Sequence, residues 1–278
     1  LARVWKVRPT DNAGGRFNGV AALGGDLYAV GENGSSGSRD FLVERYTTAG
    51  ARIWTATSGG SGDDVLTGVV AVGGRLFAAG HTTSSGAGGA DAVVMEIDPS
   101  TGAVIWTTHL GGAQDDRAHA LVTDGSSLFA VGESRSYATL EGNTVGQNDL
   151  ALWHLTLVVD VEIDIKPGSY PNSINLGAQG GIPVAIFSSP TFDATTIDPA
   201  TVELAEAQIR IVGKGKLMVA TEDVDGDGLM DLVVQMETSA FEATDGDTEA
   251  VLTGQTFDGI CIRGVDTIRI VPPGDGGV

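Results

Sequence analysis

The chain has 278 residues, enough for about two domains, and is 42% hydrophobic, with 41 glycines and only 19% charged residues. So much glycine without a collagen period means many tight turns rather than long helices, and no apolar run reaches the roughly 20 residues of a membrane helix. A net charge of −20 with four lysines repels nucleic acid and anionic lipid, which argues against both as partners and favours divalent cations and an extracellular setting.

Read from the N-terminus, the first half repeats. A tryptophan and a glycine 26 residues later recur as Trp5 to Gly31, Trp54 to Gly80 and Trp106 to Gly132, at a period of 49 and then 52 residues. Each glycine follows a strand-like run, Leu27-Tyr28-Ala29-Val30, Leu76-Phe77-Ala78-Ala79 or Leu128-Phe129-Ala130-Val131. A second apolar run opens at Asp40, Asp91 and Asp149. The second copy predicts four short strands, over 65–72, 75–80, 91–97 and 103–109. Gly73-Gly74 and Ser100-Thr101-Gly102 join them, because glycine accepts the positive φ of tight hairpins. One four-stranded antiparallel sheet per repeat is the pattern of a propeller blade.

The third copy predicts only three strands, over 118–122, 128–132 and 150–155, while 2–7 is an extra strand carrying Trp5. A repeat domain over 1–158 of about three blades results, whose N-terminal strand completes the third sheet in cis or in trans. An unpaired sheet edge invites association, so a partner is expected.

Four sets of residues here invite a functional reading. Trp5, Trp54 and Trp106 are candidate ligand-binding residues, as a sugar-stacking platform, although a tryptophan at a fixed repeat position more often fills the core. Asp63-Asp64 and Asp115-Asp116 are either cation ligands or turn acceptors beside glycine pairs. Glu32, His81 and Glu133 share one register position; radially arranged sheets would bring them together, and solvent-facing strand ends are the plainer explanation. The loops over 34–39, 82–90 and 134–147 share one edge and lengthen along the chain, which makes the last the expected contact surface.

The series Trp54, Gly59-Gly60, Asp63-Asp64, Leu76 to Gly80, Asp91-Ala92-Val93-Val94, Gly102, Trp106 resembles the seven-bladed-propeller (SBBP) repeat of secreted bacterial and archaeal proteins. The third copy keeps Gly111-Gly112 and Asp115-Asp116; the first has Thr10-Asp11 and Gly14-Gly15 instead. The resemblance implies propeller-type sheets, and closed propellers need four blades or more.

From Val159 the repeat stops. Strands are predicted at 161–165, 182–188, 201–205, 208–212, 217–220, 230–236, 249–253 and 267–271, with clear alternation in Asp231-Leu232-Val233-Val234-Gln235-Met236. They suit an immunoglobulin-like β-sandwich over 159–273, followed by a tail over 274–278. The single cysteine, Cys261, excludes an internal disulfide and reads as a buried strand thiol.

The sharpest chemistry is Asp223-Val224-Asp225-Gly226-Asp227-Gly228-Leu229-Met230-Asp231. Carboxylates at positions 1, 3 and 5, a glycine at 6 and a carbonyl at 7 describe a Ca2+ loop. Asp223, Asp225, Asp227 and Asp231 are the predicted side-chain ligands and Leu229 supplies its carbonyl. Position 12 is Val234, so the bidentate glutamate of an EF-hand is missing. The loop resembles those of dockerins and FG-GAP repeats. Asp245 and Asp247 are candidates for a second cation site, or an ordinary turn.

Ile163 to Ser169, Pro171-Asn172 to Leu176, Ile182 to Ile186, Asp225 to Leu232 and Gly246 to Gly259 resemble a C-terminal module of secreted microbial proteins, one that is non-catalytic. No nucleophile elbow, P-loop or dinucleotide fingerprint is present, and the four histidines lack ligand spacing. The expectation is a non-enzymatic structural or adhesion protein, secreted with its signal removed, extracellular or at the cell surface. It self-associates or binds other surface proteins, as the subunit of a filament or layer. The alternative is a polysaccharide-binding accessory region of a larger secreted enzyme. A chain opening at Leu1 reads as a processed product or a fragment.

Overall fold

A computed structural model describes residues 5–6, 14–136 and 148–271. The described residues form β-strands and two short 3-10 turns, with no α-helix among them, so the fold is all-β. The chain divides into two compact units, Leu1–Leu155 and Thr156–Val278.

Among its described residues unit one contains three antiparallel sheets. Sheet one is β1 (Arg16–Leu23), β2 (Asp26–Ser35), β3 (Ser38–Thr47) and β4 (Arg52–Ser58), paired in that order. Sheet two repeats it with β5 (Asp64–Val72), β6 (Arg75–Thr82), β7 (Asp91–Ile97) and β8 (Val104–Leu110). Sheet three has three strands among the described residues, β9 (Asp116–Thr123), β10 (Ser127–Ser134) and β11 (Asp149–Thr156). Of the expected strand over 2–7 only Trp5 and Lys6 are described, and neither is in a strand.

The sheets stack because both faces of the middle one are apolar. Tyr28, Val30, Phe41 and Val43 on sheet one share a core with Leu66, Val69, Leu76 and Met95 on sheet two. Phe77, Ala79, Ala92 and Val94, on the opposite face of sheet two, are completely buried. The near-continuous apolar run in β7, in which every residue is buried, is what a strand covered on both sides requires. The first strands lie nearest one another, β1 against β5 and β5 against β9. Each carries a β-bulge at the same place, which leaves Asn18, Thr67 and His119 as the extra residues.

Unit two contains thirteen strands among its described residues. They are β12 (Val158–Asp160), β13 (Ile163–Ile165), β14 (Ser173–Asn175), β15 (Gly181–Ile186), β16 (Ile197–Leu204), β17 (Ala207–Gln208), β18 (Ile211–Val212), β19 (Lys216–Leu217), β20 (Val219–Glu222), β21 (Asp231–Glu237), β22 (Glu249–Thr256), β23 (Cys261–Thr267) and β24 (Arg269–Val271). A five-stranded sheet in the order β12-β23-β22-β16-β17 and a four-stranded sheet in the order β13-β15-β21-β20 contribute to one core. Val184, Ile186 and Val234 come from the second of these, and Val202, Leu204 and Leu252 from the first. That makes a sandwich. Two pairings, β12 with β23 and β14 with β24, are parallel, which side-chain alternation alone does not foretell.

Two expectations need correction. The strand predicted over 208–212 is split, because Ile209 bridges to Met236 while Ile211 pairs with Leu217 in a separate ribbon. Cys261 is half-buried rather than buried, since it opens β23 instead of lying inside it.

Candidate metal centre and the polar contacts between sheets

The loop joining β20 to β21 gathers its carboxylates by local geometry. Asp223 Oδ1 accepts from Gly226 N at 2.8 Å and its Oδ2 from Gly228 N at 3.1 Å. Asp225 Oδ1 accepts from Asp227 N at 3.0 Å, and Asp227 Oδ1 from Leu229 N at 2.7 Å. Gly226 and Gly228 have φ of +81° and +91°, in the left-handed region that glycine enters at little cost. The winding leaves Asp223, Asp225 and Asp227 exposed, with carboxylate oxygens all within 4.8 Å of one another. Among the described residues this is the one group of three acidic, histidine or cysteine side chains placed to hold a metal ion. Hard carboxylate oxygens suit a hard divalent cation, and three like charges this close repel one another unless a cation is bound.

Asp231 is not in that group. Its side chain is fully buried, with Oδ1 accepting from Ser188 N at 2.8 Å and Oδ2 from Val224 N at 2.9 Å. It fastens the loop to the sandwich, and β21 starts at this residue, which turns the carboxylate inward. Leu229 enters the hydrogen bonds of the loop through its N–H, toward Asp227.

Asp245 and Asp247 form a turn. Asp247 Oδ2 accepts from Thr244 N at 2.7 Å and from Thr244 Oγ1 at 3.1 Å, and Asp247 N returns a bond to Thr244 O at 3.1 Å. No third acidic partner joins them among the described residues.

In unit one the paired aspartates are also turn acceptors. Asp64, fully buried, accepts from Gly60 N at 2.7 Å, from Ser84 Oγ at 2.8 Å and from Thr82 Oγ1. Asp116, equally buried, accepts from Gly112 N at 2.9 Å, from Ser136 Oγ at 2.5 Å and from Ser134 Oγ. A buried carboxylate is stable only with such donors. Asp63 is taken by Arg39, and Asp115 lies 3.5 Å from Arg117 and 3.6 Å from Arg135.

Each of the three tryptophans packs against a turn glycine or an aromatic ring. Trp54 packs on Tyr28 with ring centroids 6.0 Å apart, and its ring covers Gly102 in the β7–β8 turn. Trp106 packs on Phe77 at 6.1 Å and donates its Nε1–H to Glu96 at 2.6 Å. Trp5 donates its Nε1–H to Thr48 O at 2.9 Å and its ring covers Gly50 in the β3–β4 turn.

Glu32, His81 and Glu133 share a register but are not among the side chains grouped to hold a metal ion. Glu32 is buried, bonded to Arg16 at 2.9 Å and to Asn18 Nδ2 at 2.8 Å. Glu133 lies 3.6 Å from Arg117 and accepts from Asn148 Nδ2 at 3.1 Å. His81 stands opposite Val65 and so lacks the cross-strand arginine of the other two sheets. Burial, with Arg117 and Arg39 near it, pushes its pKa down to about 4. Its Nδ1 is buried without a hydrogen-bond partner, so the ring is neutral at pH 7. Most of the long loop over 134–147 lies outside the described residues.

Sequence reasoning passed over the bulge residues. Asn18 Nδ2 donates to Leu66 O at 2.8 Å, and Thr67 Oγ1 donates to Ala118 O at 2.9 Å. Each bulge thus reaches a carbonyl on the next sheet, one residue before that sheet's own bulge. The available signal was a polar residue, Asn18, Thr67 or His119, at one repeat position and followed by a small residue, Gly19, Gly68 or Ala120.

No family model matches the chain, and no curated relative does. A solved structure described as "Structural insight into host cell surface retention of a 1.5-MDa bacterial ice-binding adhesin" is similar over 91% of this chain and 94% of that one, at 16% identity and a TM-score of 0.23. A likeness at that TM-score carries no argument about what this chain does. No helix among the described residues is long and apolar enough to cross a membrane.

Proposed function

We propose that this chain is a non-enzymatic extracellular protein of structural or adhesive type. Its copies join by strand complementation between propeller-type sheets, and its second unit is braced by Ca2+ at Asp223, Asp225 and Asp227. Trp5 carries the reading. Trp54, in the fourth strand of sheet one, seats on Gly102 in the third-to-fourth-strand turn of sheet two. Trp5 seats in the same way on Gly50 in the corresponding turn of sheet one. Trp5 therefore occupies the place of a fourth-strand residue of a sheet ahead of sheet one. Sheet three is the sheet with no fourth strand among the described residues. A sheet with three strands among the described residues and a fourth-strand residue outside any sheet suit a subunit that repeats.

The choice of Ca2+ rests on the spacing of hard oxygen donors around a glycine turn. The extracellular setting rests on net charge and on the two resemblances to secreted proteins.

Light scattering and negative-stain imaging of the purified chain with millimolar Ca2+ test the reading. Oligomers or filaments that vanish in the Trp5→Ala protein are expected. A monomer at every concentration would count against it, as would turnover in an enzymatic assay.

A further inference from the structure

We propose that Asp245 is a site of self-modification, at which the chain isomerises to isoaspartate through a succinimide formed with the backbone nitrogen of Gly246.

The candidates are set by sequence. The backbone nitrogen that follows an aspartate or asparagine can attack that residue's own Cγ, and glycine favours the attack because its backbone turns freely and no side chain shields its nitrogen. Among the described residues the Asp–Gly pairs begin at Asp124, Asp225, Asp227, Asp245 and Asp258, and the Asn–Gly pairs at Asn18 and Asn33.

The fold restrains all of them but one. Gly226 N donates to Asp223 Oδ1 at 2.8 Å and Gly228 N to Asp223 Oδ2 at 3.1 Å. Gly259 N donates to Thr256 O at 2.8 Å, and Gly125 N to Thr123 Oγ1 at 3.1 Å. In each pair the attacking nitrogen is held by another acceptor, and that bond must break before the nitrogen can turn onto Cγ. Two of the carboxylates are held as well, Asp124 Oδ1 by Ser127 N at 2.8 Å and Asp227 Oδ1 by Leu229 N at 2.7 Å. The asparagine pairs lie within paired strands, with Gly19 opposite Val30 and Gly34 opposite Arg39.

Asp245 and Gly246 differ on every count. They lie in a turn outside any strand, and each residue from Thr244 to Glu249 is exposed. Among the described residues neither the Asp245 carboxylate nor the Gly246 N–H has a hydrogen-bond or ion-pair partner. Gly246 has φ of +110°, with nothing within 4 Å of the place a Cβ would take. Its neighbours close the turn instead, through the bonds between Asp247 and Thr244. Both reacting groups are thus unengaged, open to water and free to move.

The reaction needs only solvent. Gly246 N attacks Asp245 Cγ, the N–Cγ bond forms, and the amide hydrogen leaves with the carboxyl OH as one water. A second water then adds to the main-chain carbonyl carbon of Asp245, and the bond from that carbon to Gly246 N breaks. The chain now continues through Cγ, one main-chain atom longer, and the former carbonyl carbon is a free carboxyl. The bonds between Asp247 and Thr244 span the lengthened segment, so the product opens the turn ahead of β22.

Ageing of the full 278-residue chain in metal-free buffer at neutral pH, folded and in denaturant, tests this. Isoaspartate is measured by enzymatic methyl transfer from S-adenosylmethionine and located by digestion with a protease that cuts before aspartate but not before isoaspartate. In the folded chain it should form at Asp245 about tenfold or more faster than at the other Asp–Gly pairs, the factor for one hydrogen bond broken in advance. In denaturant the five sites should modify at similar rates, since the restraint is gone. Asp245→Glu lengthens the side chain past the five-membered ring and removes no hydrogen bond, so it should keep the wild-type melting temperature and lose most of the methyl acceptance. Asp223→Ala releases Gly226 and Gly228, and should gain isoaspartate at Asp225 and Asp227. Equal rates at the five sites in the folded chain overturn the proposal, as does modification at Asn18 or Asn33 ahead of Asp245. Undiminished methyl acceptance in the Asp245→Glu protein, or no gain in the Asp223→Ala protein, overturns it too.

Discussion

Arg39 grips Asp63 with two nitrogens, Nε at 3.0 Å and Nη2 at 2.8 Å, and the pair ties sheet one to sheet two. The arginine is the second residue of β3 and the aspartate immediately precedes β5. Hydrogen bonding from Arg39, assisted by the backbone N–H groups of Gly37 and Arg39 itself, holds the Asp63 carboxyl well below the usual carboxylate range. Both side chains are largely buried, so the pair is shielded more than a surface ion pair would be.

Asp63→Asn should therefore destabilise the chain at pH 7, by about 1–3 kcal/mol, the range for a hydrogen bond to a charged group. Because the folded pKa lies below the unfolded one, this stability is fully present above the unfolded value of about 3.9 and is lost as pH falls toward the folded value. Denaturant titrations of both proteins should differ by a constant amount from pH 5 to pH 8, and the difference should shrink steadily as pH falls below about 4. A difference that does not shrink in acid would contradict the assignment.

His81 predicts a second acid response in a different window. Its folded pKa of about 4 lies below its ordinary value of 6.5, so the unfolded chain binds the proton more readily. Stability should fall as pH drops from about 6.5 to about 4, by on the order of 2 kcal/mol. His81→Leu removes the titrating group and should flatten that part of the profile while leaving stability at pH 7 equal or higher. An unchanged slope in the variant would show that other groups cause it.

Gly102 separates backbone strain from packing. It has φ of +79°, and an added Cβ would lie 2.7 Å from Trp54 Cζ3 and from Ala56 Cβ. Gly74 has φ of +77° but nothing within 4 Å of such an atom. Gly74→Ala should cost only the conformational penalty of about 1–2 kcal/mol. Gly102→Ala should add the overpacking cost, about 1–3 kcal/mol more. Equal losses by thermal unfolding would mean that the Trp54 seat yields freely.

The aspartate loop predicts a metal response. Ca2+ should raise the melting temperature by mass action on the folded state, and chelation should reverse it. Asp225→Asn and Asp227→Asn keep an Oδ acceptor for the turn while removing charge. Each should lower Ca2+ affinity by calorimetry, by about tenfold or more for a loss of about 1.4 kcal/mol. Asp231→Asn is expected to act differently. It disturbs a buried carboxylate that accepts from Ser188 and Val224, so it should lower stability with or without metal. Equal effects of Asp225→Asn and Asp231→Asn on affinity and on metal-free stability would refute this division of roles.

What the sequence determined by itself is whatever depends on near neighbours. The strands over 75–80 and 91–97 were legible because alternation, glycine pairs and a fixed tryptophan-to-glycine spacing all act within a few residues. The gathering of Asp223, Asp225 and Asp227 was legible for the same reason, since bonds between residues two to five apart wind the loop. Tertiary structure decided the rest. Asp231 sits in the same acidic run, yet a backbone N–H from Ser188, 43 residues away, turns it into the sandwich. Glu32 and Glu133 share a register with His81, but arginines on the neighbouring first strands bind the glutamates while Val65 leaves the histidine neutral. The parallel partner of β12 and the carbonyls met by Asn18 and Thr67 lie on distant strands. Local pattern determines which way a side chain points along its own strand; only the docking of one sheet on another determines what it meets there.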